Sequence, residues 1–408
     1  MAEAGALRAL STHRIIGCVA DAAARWRDAD FAPRVRATAA IEARLGYSTP
    51  VVDYALDRLF FGLTREGLEA AIAAELGSVH ALYGVVARPG APAAWALGVQ
   101  RVAIISSDTT IGVALVPAVF ALCAKCDVVV KDRADALIAG FFASLAEEHP
   151  AFADAARARA WAGGEEPHEA ELLARADVVV AFGRDEALRE IRARCGAETR
   201  FLPFGHRASI GRLTRADVAR FDGALAENVA RDALLYDGEG CLSLHALFVE
   251  AEGEQLTRVV ETLAAACERV AVEFPGGTRD PQRVAHAAAY RNLAAFRSAG
   301  GRGAVIRAGD ATLVIEPPLR EPPPFLPRIL PLIPVADDDA IAAYVAEHAL
   351  PVQAVGVAGA PGERALALAA RIGAVRVAPF GTLQAPPLAG HHGGAPRIAD
   401  FVRWIDAE

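Results

Sequence analysis

The stretch VAIISSDTTIGVALVPAVFALCAKCDVVVK, residues 102–131, decides the fold class. It opens on Val102 to Ile105 and closes on Val128 to Lys131, two short β-rich runs. Between them Ile111 to Cys123 is apolar for about 13 residues, interrupted by Pro117, whereas a membrane-spanning helix takes ~20. It reads as a buried helix. Strand, helix and strand in so short a span make a βαβ unit, whose two strands lie parallel in one sheet. Asp177 to Phe182 and Arg200 to Phe204 repeat the texture with helical stretches between, so the spacing predicts an open parallel sheet.

Upstream, to about residue 78, the periodicity is helical, with Thr49-Pro50 and Thr64 at helix starts. The Ala-rich segment 151–176 also reads as helix, broken at Gly163-Gly164. A second α/β block runs from about 244 to 381, with strands expected at Leu244 to Val249, Ala304 to Ile306, Thr312 to Ile315, Ile329 to Val335, Val352 to Val357 and Val375 to Pro379. The proline cluster starting at Glu316 is expected to be a rigid surface connection inside that block.

Composition sets the outer bounds. A chain of 408 residues exceeds the ~250 to 300 over which one core stays single, so two lobes are expected. With 53% hydrophobic and 23% charged residues it is globular, and a net charge of −8 argues against nucleic acid as a partner. Six cysteines are too few for a disulfide scaffold, and the N-terminus shows no signal region, so a reducing cytoplasmic setting with free thiols is expected.

The chemistry centres on Tyr236-Asp-Gly-Glu-Gly-Cys241-Leu-Ser-Leu. Glycines around a thiol allow close backbone approach to a substrate and free the neighbouring N–H groups to face a developing oxyanion. A thiol of pKa ~8.5 is a few per cent ionised at neutral pH, enough for acyl transfer given modest activation. Taken alone, Cys241 reads more readily as a plain buried thiol than as a nucleophile.

Gly238-Glu-Gly-Cys241 resembles the Gly-Gln-x-Cys segment that carries the aldehyde dehydrogenase nucleophile, with Glu239 in place of Gln. Val128-Val-Val-Lys131, Val178-Val-Val-Ala-Phe-Gly183 and Phe204-Gly-His-Arg-Ala-Ser209 follow in the order of that superfamily. The sequence is most similar to the LuxC-type acyl-CoA reductases, which supply fatty aldehyde in bacterial bioluminescence. Leu350-Pro-Val-Gln-Ala-Val-Gly-Val, Arg376-Val-Ala-Pro-Phe-Gly381 and His391-His-Gly-Gly-Ala-Pro-Arg extend the likeness to the C-terminus.

The resemblance implies an α/β, aldehyde-dehydrogenase-like fold of two lobes, each with a largely parallel sheet flanked by helices. Residues 1–205 would bind the dinucleotide, with 385–408 returning to them, and residues 206–384 would carry the nucleophile. Cys241 would attack an acyl-CoA or another acyl thioester, and NADPH, or alternatively NADH, would reduce the bound acyl group. Lys131 would contact the adenosine ribose or its 2′-phosphate, Arg133 would add a phosphate contact, and Gly183 and Ser107 would complete the cofactor site. A homo-oligomer and an acyl-synthetase partner are further implications.

Two departures from the family pattern carry information. The glutamate base that hydrolytic members place about 34 residues before the thiol is replaced by Pro203-Phe-Gly-His-Arg, which favours thioester exchange with coenzyme A over release of a free acid. His206 becomes the candidate proton carrier. The Asn that completes the oxyanion hole is replaced in Ile104-Ile-Ser-Ser-Asp-Thr-Thr, leaving Thr109, Thr110 or Ser107 as hydroxyl donors. A non-catalytic or acyl-transferring relative is the alternative to the reductase, and oxidation of an aldehyde to the acid is a third reading.

The remaining motifs read as structure. Cys123-Ala-Lys-Cys126 lacks a second pair of zinc ligands and is taken as buried helix thiols. His391-His392 is placed in a loop, not at a metal. Asp337 to Asp339 is an acidic helix start.

Overall fold

The computed structural model describes residues 5–107, 110–132, 136–161, 166–278, 280–316 and 322–408. The chain folds as two compact units, one comprising Met1–Leu45, Val52–Gly205 and Pro387–Glu408, the other Gly46–Val51 and His206–Pro386. The six-residue piece Gly46–Val51 joins the second unit, where the Ser48 hydroxyl donates to the Pro275 carbonyl at 2.6 Å.

The first unit opens with helices Thr12–Trp26, Ala32–Leu45, Thr49–Phe61 and Arg65–Leu76, the last capped by the Thr64 side chain on the N–H of Gly67. The buried Trp26 ring stacks on Phe60 and donates to the Ser144 hydroxyl. Strands β1 (Val86–Arg88) and β2 (Ala91–Gly98) form an antiparallel pair.

Next come β3 (Arg101–Ile105), β4 (Asp127–Asp132), β5 (Ala156–Ala160), β6 (Val178–Phe182) and β7 (Arg200–Phe204), in a parallel sheet of order β5-β4-β3-β6-β7. The chain steps from β3 to β4 to β5 on one side and then crosses back to β6 and β7 on the other, so the order reverses between β3 and β6. Open α/β sheets bind ligands at such a reversal, beyond the carboxyl ends of the strands. Ala103, Ile105, Val179 and Ala181 pack against Leu173, Leu188 and Ile191 from the helices Glu166–Arg175 and Asp185–Arg194. The apolar stretch ahead of β4 is helical over Leu115–Cys123 and buried almost throughout.

Part of the expected helix 151–176 is instead a strand, with helix at Ala151–Ala155 and Glu166–Arg175 on either side. Ala156–Ala160 pairs with β4 over five residues and fills the edge of the sheet. The Ala-Arg alternation has high helix propensity, but propensity is worth only tenths of a kcal/mol per residue and yields to a place in the sheet. Its period of two agrees with the strand, since Arg157 and Arg159 share one face.

The second unit holds a seven-stranded sheet built from β8 (Ala208–Leu213), β9 (Leu244–Val249), β10 (Ala304–Ala308), β11 (Ala311–Ile315), β12 (Ile329–Pro334), β13 (Val352–Val357) and β14 (Arg376–Pro379). Its order is β10-β11-β12-β9-β8-β13-β14, parallel except for the β10-β11 hairpin. Ile210, Ala246, Phe248, Val355 and Ile333 form its core with Ile341, Val345 and Leu368 of the covering helices. Asp337 caps the helix Asp338–Glu347 by accepting from the N–H groups of Asp339 and Ala340. The chain then returns to the first unit, where β15 (Val402–Ala407) pairs antiparallel with β2. Of the proline cluster, residues 317–321 lie outside the described residues, and Pro322 to Pro324 are irregular chain. Among those described, no helix is long and apolar enough to cross a membrane.

Candidate active site

Cys241 lies in the second unit, on a turn just before the central strand β9. The turn is entered through backbone that side chains rarely adopt: Tyr236 and Asp237 have φ of 54° and 55°, and Gly238 has φ of 73°. A Cβ on Gly238 would meet the Ala233 carbonyl at 2.9 Å, so glycine is required there. The left-handed Asp237 is held by Arg328, whose Nε lies 2.7 Å from Asp237 Oδ1 while its own N–H donates to the Asp237 carbonyl. Gly277 N–H takes the other carboxylate oxygen. Arg328 is 2% exposed and also meets Asp310 and the Phe274 carbonyl, so each of its three guanidinium nitrogens has a partner.

The far side of the turn is closed by Ser243. Its hydroxyl accepts from the Gly240 N–H at 3.1 Å and from Gln384 Nε2 at 2.8 Å. Glu239, at the Gln position of the motif, is ion-paired with Arg283 of the helix Pro281–Ala299 at 2.5 Å, which ties down the acid nearest the thiol in sequence.

Cys241 is half-buried. Burial pushes its thiol pKa above the ordinary value, and the nearby backbone N–H groups of Cys241 and Leu242 pull the other way. Such N–H groups stabilise a thiolate and can turn to a carbonyl oxygen brought there. The Cys241 carbonyl accepts from the Ser209 hydroxyl at 2.8 Å. Four residues on, the buried His245 accepts the Ser209 backbone N–H on Nδ1 at 3.1 Å. Burial, reinforced by the neighbouring His206, lowers the His245 pKa to about 4, so its ring is neutral with the proton on Nε2. His206 is exposed and lies in the link between β7 and β8.

In the first unit the cofactor candidates gather along one edge of the sheet. Ser107 follows β3, Lys131 is near the end of β4, and Gly183 follows β6; these three strands are neighbours and parallel. The Ser107 hydroxyl is buried and has no hydrogen-bond partner among the described residues. Gly183 N–H donates to the Phe204 carbonyl. The helix beyond it, Asp185–Arg194, has Asp185 and Glu186 in its first turn, so its positive end is already faced by carboxylates.

Lys131 differs from a free phosphate-binding cation. It is 5% exposed, its Nζ lies 2.5 Å from Glu169, and it sits over the Trp161 ring. Glu169 also takes the Trp161 indole N–H and Arg194. Beside this cluster, between β3–β5 and the helix Glu166–Arg175, a cavity of about 660 Å³ is lined by Arg101, Arg157, Arg159, Arg175 and His168. Thr109 and Arg133, both named as site candidates, lie outside the described residues.

The other motifs carry no chemistry. Cys123 and Cys126 are fully buried and their pKa values are pushed up by burial, that of Cys123 to about 12. His392 stacks on Phe204 with ring centroids 4.2 Å apart, and burial lowers its pKa to about 4. Among the described residues no cluster of His, Cys, Asp or Glu is arranged to hold a metal ion.

With this geometry in view, the family model described as acyl-CoA reductase (LuxC) matches residues 7–404. The chain belongs to the LuxC acyl-CoA reductase family. It is thus an oxidoreductase of acyl or aldehyde substrates. No curated protein matches it in sequence.

Solved structures share the fold. Aldehyde dehydrogenase PutA from Anabaena variabilis is 14% identical, with 97% of this chain and 92% of that chain covered at a TM-score of 0.68. The glyceraldehyde-3-phosphate dehydrogenase GapN from Methanocaldococcus jannaschii, solved with NADP, is 11% identical over 98% and 90%, with a TM-score of 0.70. Aldehyde dehydrogenase 21 from Physcomitrella patens, solved with succinate, is 10% identical over 99% and 87%, with a TM-score of 0.74. The LuxC-family chain therefore has the aldehyde-dehydrogenase fold.

Several residues around the thiol of this LuxC-family chain escape a reading of its sequence. Arg328 and Arg283 lie far along the chain and carry no motif. His245 stands four residues after Cys241 in an apolar run, and the only signal for it is a polar residue where a buried strand needs none. Ser209 lies inside a recognisable segment, but nothing in that segment announces that its hydroxyl reaches the Cys241 carbonyl.

Proposed function

We propose that this enzyme reduces an acyl-CoA, with a fatty acyl group as the substrate class, to the aldehyde, using NADPH and a thioester on Cys241. The observation that carries the reading is half-buried Cys241 on its glycine-bounded turn, with its carbonyl held by the Ser209 hydroxyl. The Cys241 thiolate attacks the acyl carbonyl carbon; the bond from that carbon to the CoA sulfur breaks and CoA leaves, taking up a proton. The N–H groups of Cys241 and Leu242 hold the oxyanion as it forms.

The segment Pro203-Phe-Gly-His-Arg offers no carboxylate to activate water, and Glu239 is tied to Arg283, so the thioester is shielded from hydrolysis. His206, exposed beside His245, is the proton carrier of this reading.

The first unit suits a phosphorylated dinucleotide. The sheet reverses order between β3 and β6, the Ser107 hydroxyl there is buried without a partner, and the arginine-lined cavity adjoins β4. Arg159 is paired in register with Lys131 and so shares its face of the sheet, which favours the extra phosphate of NADPH over NADH. When bound, the reduced nicotinamide supplies the hydride that turns the thioester into aldehyde and frees the thiol. Ser107, the turn at Gly183, and Arg159 beside the Lys131–Glu169 pair are the residues that hold it.

The test is loss of nicotinamide absorbance on mixing enzyme, NADPH and acyl-CoAs of graded chain length. The reading expects CoA-dependent oxidation of NADPH that Cys241→Ala abolishes. No oxidation at any chain length would refute it, and CoA-independent NAD(P)H formation from an aldehyde would favour oxidation to the acid.

A further inference from the structure

Ser209 is fully buried on β8 and donates two hydrogen bonds, one from its backbone and one from its side chain. Its backbone N–H donates to His245 Nδ1 at 3.1 Å, and its hydroxyl donates to the Cys241 carbonyl at 2.8 Å. The second bond matters because of covalent geometry. The Cys241 carbonyl and the Leu242 N–H belong to one planar peptide unit and point in opposite directions. Anchoring the oxygen on one side therefore fixes the direction of the N–H on the other, the first backbone N–H after the thiol-bearing residue.

We infer that Ser209 is the positioning residue of the thiol: by pinning the Cys241–Leu242 peptide it holds the Leu242 N–H against the sulfur, where it stabilises the thiolate and then the oxyanion. The inference rests on Cys241 being the nucleophile. Nothing else among the described residues donates to the Cys241 carbonyl, while the opposite edge of the same turn is fixed independently by Ser243 and Gln384. Loss of the Ser209 hydroxyl therefore frees one peptide plane without dissolving the turn. The backbone bond to His245 adds to this design, since a buried neutral His245 has its Nδ1 satisfied by the same residue and draws the ends of β8 and β9 together.

The test is the pH dependence of Cys241 alkylation by iodoacetamide, read peptide by peptide in a mass spectrum so that Cys195, the other partly exposed thiol, is scored separately. Ser209→Ala removes only the hydroxyl and keeps the N–H to His245. It is expected to slow Cys241 alkylation at neutral pH about three- to tenfold, by shifting the profile to higher pH, with Cys195 unchanged. Ser209→Thr restores the hydroxyl and the profile. Because the site is fully buried and the extra methyl of Thr can crowd it, hydrogen exchange at the Leu242 amide gives a second readout, faster in Ser209→Ala than in the wild type.

A Ser209→Ala profile that overlays the wild type, with unaltered Leu242 exchange, overturns the inference and leaves Ser209 a structural residue; so does a well-folded Ser209→Thr that behaves like Ser209→Ala. No acyl donor or cofactor enters this experiment. Failure of the enzyme to form an acyl thioester would thus sink the proposed reaction while leaving the alkylation result to be judged by itself.

Discussion

Arg328 Nε lies 2.7 Å from Asp237 Oδ1, and both residues hold left-handed backbone, φ 52° and 55°. The ion pair joins two conformations that neither side chain favours, so each supports the strain of the other. The thiol turn begins one residue after Asp237.

Removing one partner of a buried pair leaves the other charged in low dielectric, at about 3 to 5 kcal/mol. Arg328→Met is accordingly expected to lower the unfolding free energy by about that amount in urea titration, and to abolish the reaction as the turn relaxes. A loss below about 1 kcal/mol would mean the pair does not hold the turn.

Asp232 is buried on the helix Gly223–Leu234, and its Oδ2 accepts the Gly381 N–H at 2.6 Å. Gly381 has φ of 85°, and a Cβ there would meet Asn228 Oδ1 at 2.6 Å. Burial raises the Asp232 pKa to about 7, with the N–H groups of Gly381, Leu383 and Gln384 and the Arg376 charge pulling it back. Folded, the carboxyl keeps its proton to about pH 7; unfolded, it loses it near 4. The protonated form's contribution is full below pH ~4 and is lost as the pH rises to 7. Asp232→Asn, which cannot ionise, should be more stable than the wild type at pH 8 by about 2 to 4 kcal/mol in chemical denaturation. An Asn variant less stable than the wild type at pH 8 would contradict this.

His245 and His392 work in the opposite sense. Burial of His245 and partial burial of His392 hold each ring's pKa near 4, against 6.5 for a free ring, so unfolding takes up a proton between those values. Their contribution is complete above pH 6.5 and falls away as the pH drops to 4, by roughly 3 kcal/mol each. His392→Phe preserves the ring on Phe204 and should flatten the loss of Tm between pH 6.5 and 4.5. An unchanged slope would place the acid sensitivity elsewhere.

Much of the architecture is legible in the sequence because the parallel strands are Val- and Ile-rich runs buried on both faces, a texture that little else produces. Edge elements are harder. Ala156–Ala160 reads as helix by composition, and only the vacant edge beside β4 makes it a strand. β8, with Gly211 and Arg212 among its six residues, gives no strong β signal, although it lies inside the second sheet beside the central β9. The thiol turn is legible through its glycines, but its supports are long-range, Arg328 lying 91 residues from Asp237 and Ser209 lying 32 from Cys241. Lys131 is legible as a residue of the sheet's carboxyl edge; its pairing with Glu169 depends on the helix Glu166–Arg175 packing back over β3, which no local pattern encodes.

The choice of nicotinamide cofactor gives a cleaner test. Arg159 is exposed on the edge strand with no ion pair among the described residues, in register with Lys131. If the cavity it lines takes the ribose phosphate, Arg159→Ala should raise KM for NADPH at least fivefold and leave KM for NADH unaltered. Equal changes for both cofactors would dissociate Arg159 from the phosphate.

The measurement that bears most directly on the account is the mass of the Cys241 peptide after incubation with acyl-CoA in the absence of any cofactor. The account predicts an added acyl group on Cys241, forming faster as the pH rises through the elevated thiol pKa, absent from Cys195 and from Cys241→Ala, and removed by NADPH with release of aldehyde. An unmodified Cys241 peptide at high pH, or an acyl group carried by another residue, would contradict it.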